Sequence, residues 1–269
     1  MKKMKRMTGA ILVMILTLSV ALGGCGKKAT PENLFGDIVK NFEKTESTSS
    51  NLKIEMEVSV MGMSGTVGMD MDIDTITKPY ACKILGTVDA DMAGENMSMD
   101  MEVYQVEEKE KLMTYLYTDG LWDTSEEDIE DKTDMANPQA YLALQKDAEK
   151  FTLEEESSKV NGKECFRLKG EISGENLFAL IDGELMDSMG AGELIDMDEI
   201  KSESFPCTID IYKDKILPAA LSFDMKNMMN GIEGADSYGM EIDKYLMTLT
   251  MNEYNSVKKI EVPKEALEN

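Results

Sequence analysis

Sulfur is the chemistry this chain has in quantity: 24 methionines and four cysteines in 269 residues, with no histidine. Without histidine there is no Ser/His/Asp or Cys/His nucleophile system and no histidine-based metal centre. Neither a G-x-S-x-G elbow nor a phosphate-cradling P-loop is present, and nothing singles out two of the many carboxylates as a glycosidase pair. The expectation is a protein that is not an enzyme and carries no cofactor. Asp70, Asp72 and Asp74 imitate the start of a calcium loop, but Thr75 stands where that loop needs glycine and no bidentate Glu follows. Their period of two places them on the solvated face of a strand. The run Glu126, Glu127, Asp128, Glu130 and Asp131 reads likewise as a solvated charge run. No metal site is expected.

The cysteine with the clearest chemical context is Cys25. Lys2, Lys3, Lys5 and Arg6 precede an uncharged, mostly apolar run from Thr8 to Leu22, and small residues lead into the thiol. That is the layout of an export signal, and the run of about 15 residues is short of the roughly 20 needed to span a membrane. The ending Leu22-Gly23-Gly24-Cys25 resembles a bacterial lipobox, which implies cleavage after residue 24 and a diacylglycerol chain on the Cys25 sulfur. The expected location is therefore outside the cytoplasm, anchored to the cell membrane through the acyl chains on Cys25 (two or more chains hold stably where one does not). Net charge is −24 for the whole chain and −28 once the basic leader is removed. Such a body repels nucleic acid and anionic headgroups, so neither is expected as a surface ligand. A monomer is expected. With Cys25 lipidated, Cys82, Cys165 and Cys207 remain: one disulfide with one thiol left over, or no disulfide, are both open. Alternation puts Cys207 and Cys165 on opposite strand faces, which argues against pairing those two.

Twenty methionines lie beyond the leader, and many fall at apolar strand positions. Thioether side chains adapt their shape and are over-used on promiscuous binding surfaces. Met56, Met69, Met71, Met99, Met101, Leu221, Phe223, Met247 and Met251 are the candidates to line a site for a greasy ligand such as an acyl chain. The alternative is that they simply pack against helices.

These residues are carried by a chain that changes period repeatedly. Thr30-Pro31 opens a helix with Leu34, Ile38 and Phe42 in one stripe, ended by the cluster Thr45 to Ser50. From Asn51 the period becomes two. Leu52 to Val60 and Val67 to Ile73 make a long hairpin about a turn at Gly62 to Gly65, apolar on one face and acidic on the other. A second hairpin runs from Tyr80 through a Gly94-Glu95-Asn96 turn. Lys111 to Tyr117 is apolar on both faces, so something should cover each side. Asp123 to Asp134 reads as an acidic surface loop. A helix from Asn137-Pro138 carries Tyr141, Leu144, Ala148 and Phe151, and Asn161-Gly162 turns the next hairpin. Leu177, Ile181, Leu185 and Met189 form a further helical stripe. Strands then resume at Phe205 to Ile211, Leu217 to Met225 and Tyr245 to Met251. The fold class is α+β: a large curved antiparallel sheet, with about three helices covering its apolar face.

With its lipobox, early helix and long hairpins, the chain resembles the LolA/LppX-like lipoprotein family. So does the segment Cys207-Thr208-Ile209-Asp210-Ile211-Tyr212-Lys213-Asp214 leading to Leu217-Pro218. Uncharacterised Gram-positive members have C-termini like Met251-Asn252-Glu253-Tyr254-Asn255 followed by Ile260-Glu261-Val262-Pro263. The resemblance implies an unclosed half-barrel wrapped around helices and an apolar cavity that takes lipid or an acyl chain. The alternative is a structural or protein-interaction lipoprotein with a filled core. The implied organisation is a signal peptide over 1–24, a lipidated tether over 25–30, one half-barrel domain over 31–263 and a polar tail over 264–269.

Overall fold

A computed structural model describes residues 28–92, 94–118, 120–128, 138–181, 203–226 and 240–268. The leader, Cys25 and the positions of Leu185 and Met189 lie outside the described residues. Helix α1 (Pro31–Phe42) begins as its sequence requires, with the Thr30 hydroxyl accepting from the Asn33 amide at 3.3 Å and Pro31 in the first turn. Six strands follow as a meander: β1 (Ser47–Val60), β2 (Met63–Thr77), β3 (Tyr80–Met92), β4 (Glu95–Glu108), β5 (Lys111–Thr118) and β6 (Leu121–Asp128). Helix α2 (Pro138–Lys146) and a short 3-10 turn lead into β7 (Phe151–Leu153), β8 (Ser158–Val160) and β9 (Lys163–Ser173). Helix α3 (Gly174–Ile181), β10 (Ser204–Tyr212), β11 (Pro218–Asp224), β12 (Met240–Tyr254) and α4 (Lys264–Leu267) complete the described elements.

All twelve strands join one antiparallel sheet in the order β6-β5-β4-β3-β2-β1-β12-β11-β10-β9-β7, with β8 also on β9. The first and last strands do not meet, so this is a curved, unclosed half-barrel. One face carries the main core, and α1 and α2 cover part of it. Phe35 meets Phe151 edge-on at 5.1 Å, and Phe42 stacks on Tyr141 at 5.4 Å and meets Tyr254 at 6.0 Å. Leu34, Ile38 and Leu144 are buried beside these rings.

The structure differs from the sequence expectations at particular places. Four helices, not about three, stand among the described residues, because Lys264–Leu267 adds a last turn. Within 264–269, read as a polar tail, Ala266 is buried against Tyr104 and Tyr115 on the sheet's other face. Ile260, Val262 and Trp122 join this second cluster, which is the cover that the two apolar faces of β5 required. Leu121–Asp128 is a strand, not the start of an acidic loop. It pairs along the whole of β5, and Lys111 bonds Asp128 across it at 2.8 Å. Its carboxylates suit an outermost strand, where charge discourages pairing with other chains. The first hairpin turns at Met61-Gly62, so Gly65 lies inside β2. Helix α2 stops at Lys146, and Phe151 enters the core from β7 instead. Asn161-Gly162 turns as expected, both residues with positive φ.

Cys82, Cys165 and Cys207 are buried and none is in a disulfide. Cys207 faces Phe223 on the core side, whereas Cys165 lies opposite Tyr212 on the reverse face. Burial pushes the Cys207 thiol up to about 12 and raises the Tyr141, Tyr245 and Tyr254 hydroxyls as well. Each group stays protonated longer when folded than when unfolded. Their contribution to stability is therefore complete below the unfolded value of about 9 for cysteine and is lost as pH rises beyond it. Melting temperature should hold between pH 7 and 8 and fall steadily above pH 9. An unchanged melting temperature at pH 10.5 would contradict this packing.

Candidate functional site

Register places the sulfur-rich residues in rows that run across the strands. One row is Leu221, Leu249, Leu52, Met71, Gly86 and Met101. The next is Phe223, Met247, Ile54, Met69, Val88 and Met99. A third is Tyr245, Met56, Val67, Ala90 and Met97. Antiparallel pairing with period two puts every member on the same face as the core.

Burial falls along each row. Leu221, Phe223, Met71, Met247 and Met251 are buried beneath or beside the helices, so five of the nine candidates are core. Met56, Met69 and Met101 are half-buried, and Met99 is 38% exposed. Met97, which belongs to the same face but not to the candidate set, is 68% exposed. Among the described residues, the helices thus fill one side of the half-barrel, and the apolar face continues beyond them across β1 to β4, half-buried at Met56, Met69 and Met101 and exposed at Met97 and Met99. Gly86 is part of its floor: a Cβ there would stand 2.6 Å from Met71 Cγ, so the absent side chain leaves Met71 its place. Tyr245 marks the border of the covered region, its hydroxyl raised by burial.

Two hollows are formed by described residues. A trough of about 650 Å³ opens where Gly68 leaves a gap. Its walls combine polar-face residues (Glu55, Glu57, Asp89, Asp91 and Lys244 among them) with Met56, Val67, Ala90 and Met97 of the third row. Lys244 at 2.7 Å and Lys53 at 3.0 Å hold the Glu55 carboxyl below its usual range. A second hollow, of about 980 Å³, lies between Thr30–Glu32 and the end of α2, with Phe151 at its edge. Asp70 and Asp72 share one donor, the Asn51 amide, at 2.7 and 3.0 Å. Among the described residues no cluster of cysteine and carboxylate side chains is arranged to hold a metal ion.

Sequence reasoning passed over one buried charge. Asp210, 4% exposed between Ile209 and Ile211, takes a two-pronged bond from Arg167 at 2.8 and 2.7 Å and a third from the Ser158 hydroxyl at 2.5 Å. An acid within an otherwise apolar strand was the visible signal. The bonds tie β8, β9 and β10 together, and they satisfy a group whose burial would otherwise be costly.

No curated protein matches the chain. A family model described as "Family of unknown function (DUF6612)" matches residues 30–269. Among solved structures, LprF from Mycobacterium bovis is similar at 11% identity and TM-score 0.48, covering 87% of this chain and 96% of that chain. A DUF1329 family protein from Desulfovibrio piger is similar at 11% identity and TM-score 0.24, covering 86% of this chain and 96% of that chain.

The burial gradient has a measurable consequence. Met247→Ala should destabilise the fold by about 2–4 kcal/mol, because it leaves a cavity in packed core. Met99→Ala should change stability by less than about 0.5 kcal/mol. Denaturant unfolding of both variants checks this, and equal losses would show that the strip is covered throughout.

Proposed function

We propose that this chain, which belongs to the family of unknown function DUF6612, is a membrane-anchored lipoprotein that holds a hydrophobic ligand. The reading places it outside the cytoplasm, attached by acyl chains on Cys25. The ligand, a lipid or single acyl chain, lies along the open strip of Met56, Met69, Met99 and Met101. One observation carries this: the apolar rows do not end where the helices end, but run on to exposed methionines. Each methylene removed from water contributes about 0.8 kcal/mol, so burying six against the strip gives about 5 kcal/mol before ordering costs. Unbranched thioethers suit chains of variable length and unsaturation. The proposed kinship with LolA/LppX-like lipoproteins adds a precedent for such a half-barrel. Binding rather than catalysis is proposed, since the chain has no histidine and no nucleophile–base set is recognisable.

A second reading has its own support. The side of the half-barrel under α1 and α2 is filled by Phe35, Phe42, Tyr141 and Phe151. A lipoprotein acting through its acidic exterior needs no more than such a filled core.

Organic extraction of protein purified without detergent should release lipid, and the protein should take up a fluorescent fatty acid. Replacing Met56 and Met99 together by Gln should weaken uptake about tenfold without lowering the melting temperature. Empty extracts and no uptake would overturn the ligand reading in favour of the second. The anchor is tested separately: Cys25→Ser should abolish labelling by radioactive palmitate, and persistent labelling would disprove the assignment.

A further inference from the structure

The N-terminal segment meets the body at a fixed point. Asn33 Nδ2 donates to the Lys28 carbonyl at 3.1 Å, the Thr30 hydroxyl caps α1, and Ala29 packs against the main core. Residues 28–30 are therefore tied to the start of α1. Only Gly26 and Lys27 separate Lys28 from Cys25. Three Cα–Cα steps span at most about 11 Å. Whatever is attached to Cys25 holds this corner of the protein within that reach, plus the length of its own linkage.

Beside that corner lies the second hollow, of about 980 Å³. The start of α1 forms one wall through Thr30, Pro31 and Glu32, and the end of α2 forms the other. The two walls are locked together: Gln145 Nε2 donates to the Glu32 carbonyl at 3.4 Å, and Phe35 meets Phe151 edge-on. Gly36 permits the approach, since a Cβ there would stand 2.7 Å from Gln145 Nε2. Leu142 and Ala143 line the hollow half-buried, with exposed Lys146 and Glu149 beside them. Apolar and charged groups side by side suit the boundary between lipid headgroups and water.

Charge favours the same face. Residues 26–32 and 142–150 hold four lysines (Lys27, Lys28, Lys146 and Lys150) and three carboxylates (Glu32, Asp147 and Glu149), a net of +1. The chain beyond the leader carries −28 as a whole. At physiological salt the field of an exposed charge is largely screened beyond about 8 Å. What an anionic membrane surface meets is therefore the local balance of charge, which is close to neutral here. The acidic hairpins of the sheet would be repelled wherever they came as near.

We propose that the surface formed by the start of α1 and the end of α2, its hollow included, is the face held against the membrane, a proposal that rests on the Cys25 anchor of the proposed function. The short tether brings this face to the headgroup layer, and the hollow takes headgroups of that layer. The test uses the lipidated protein in vesicles of phosphatidylcholine and phosphatidylglycerol, the phosphatidylcholine brominated near its glycerol. Trp122→Phe removes the native indole, and Leu142→Trp or Glu149→Trp places a reporter at the hollow. Position 149 is exposed, so it serves even where Leu142→Trp fails to fold. Emission from the reporter should fall about twofold relative to unbrominated vesicles. A Gly/Ser insert of about 20 residues between Lys27 and Lys28, with an r.m.s. length of about 25 Å, should restore it. Emission unaffected by bromination at both positions would overturn the proposal, as would quenching undiminished by the insert. Palmitate labelling of the same samples separates the two readings: labelled protein without quenching removes this proposal alone, whereas unlabelled protein removes the anchor itself.

Discussion

The pairing of β1 with β12 is the interaction on which the rest of the molecule depends. It is the junction in the strand order between the six-stranded meander and the C-terminal strands, and its register runs from Thr48↔Tyr254 to Val60↔Met240. Residues about 190 positions apart are brought together there. This closure is entropically expensive, and backbone hydrogen bonds with matched apolar rows offset it. Once it forms, Leu52 lies beside Leu249 and Ile54 beside Met247, and the two halves share one apolar face. Without it neither half could extend its rows past its own edge.

One continuous face creates the functional question. Among the described residues, α1 and α2 cover only part of the apolar face of the twelve-stranded sheet. Around Phe35, Phe42 and Tyr141 the cover is complete. Over the upper parts of β1 to β4 the surface stays half open, and methionine is the residue used there. Methionine is apolar enough for the alternating pattern and, being unbranched, adapts its shape to irregular surroundings. The reverse face handles its own excess differently: the C-terminal segment folds back so that Ala266, Ile260 and Val262 cover Tyr104 and Tyr115.

Electrostatics divides along the same line. Several positive groups are tied up locally, as in Lys53 and Lys244 on Glu55, Lys111 on Asp128, and Arg167 on Asp210. The excess carboxylates remain, concentrated on the long hairpins where the methionines are exposed. The molecule therefore pairs exposed methionines with a net negative charge on the same long hairpins.

Local pattern was enough to read much of this. Thr30-Pro31 announced a helix start, alternation announced which face each strand residue takes, and Asn161-Gly162 announced a turn, because each of these depends on residues only a few positions apart. Alternation also set Cys165 and Cys207 on opposite faces. Three features were illegible for one common reason. The strand Leu121–Asp128 owes its form to the neighbour β5, the fold-back of Ala266 to apolar surface far away in sequence, and the burial of Asp210 to Arg167 and Ser158 on other strands. So it was with the methionines. Sequence alone determined that they share one face; only the tertiary structure decided which are sealed under helices and which stand open. Period two is a property of a single strand, whereas burial depends on what long-range closure brings on top of it.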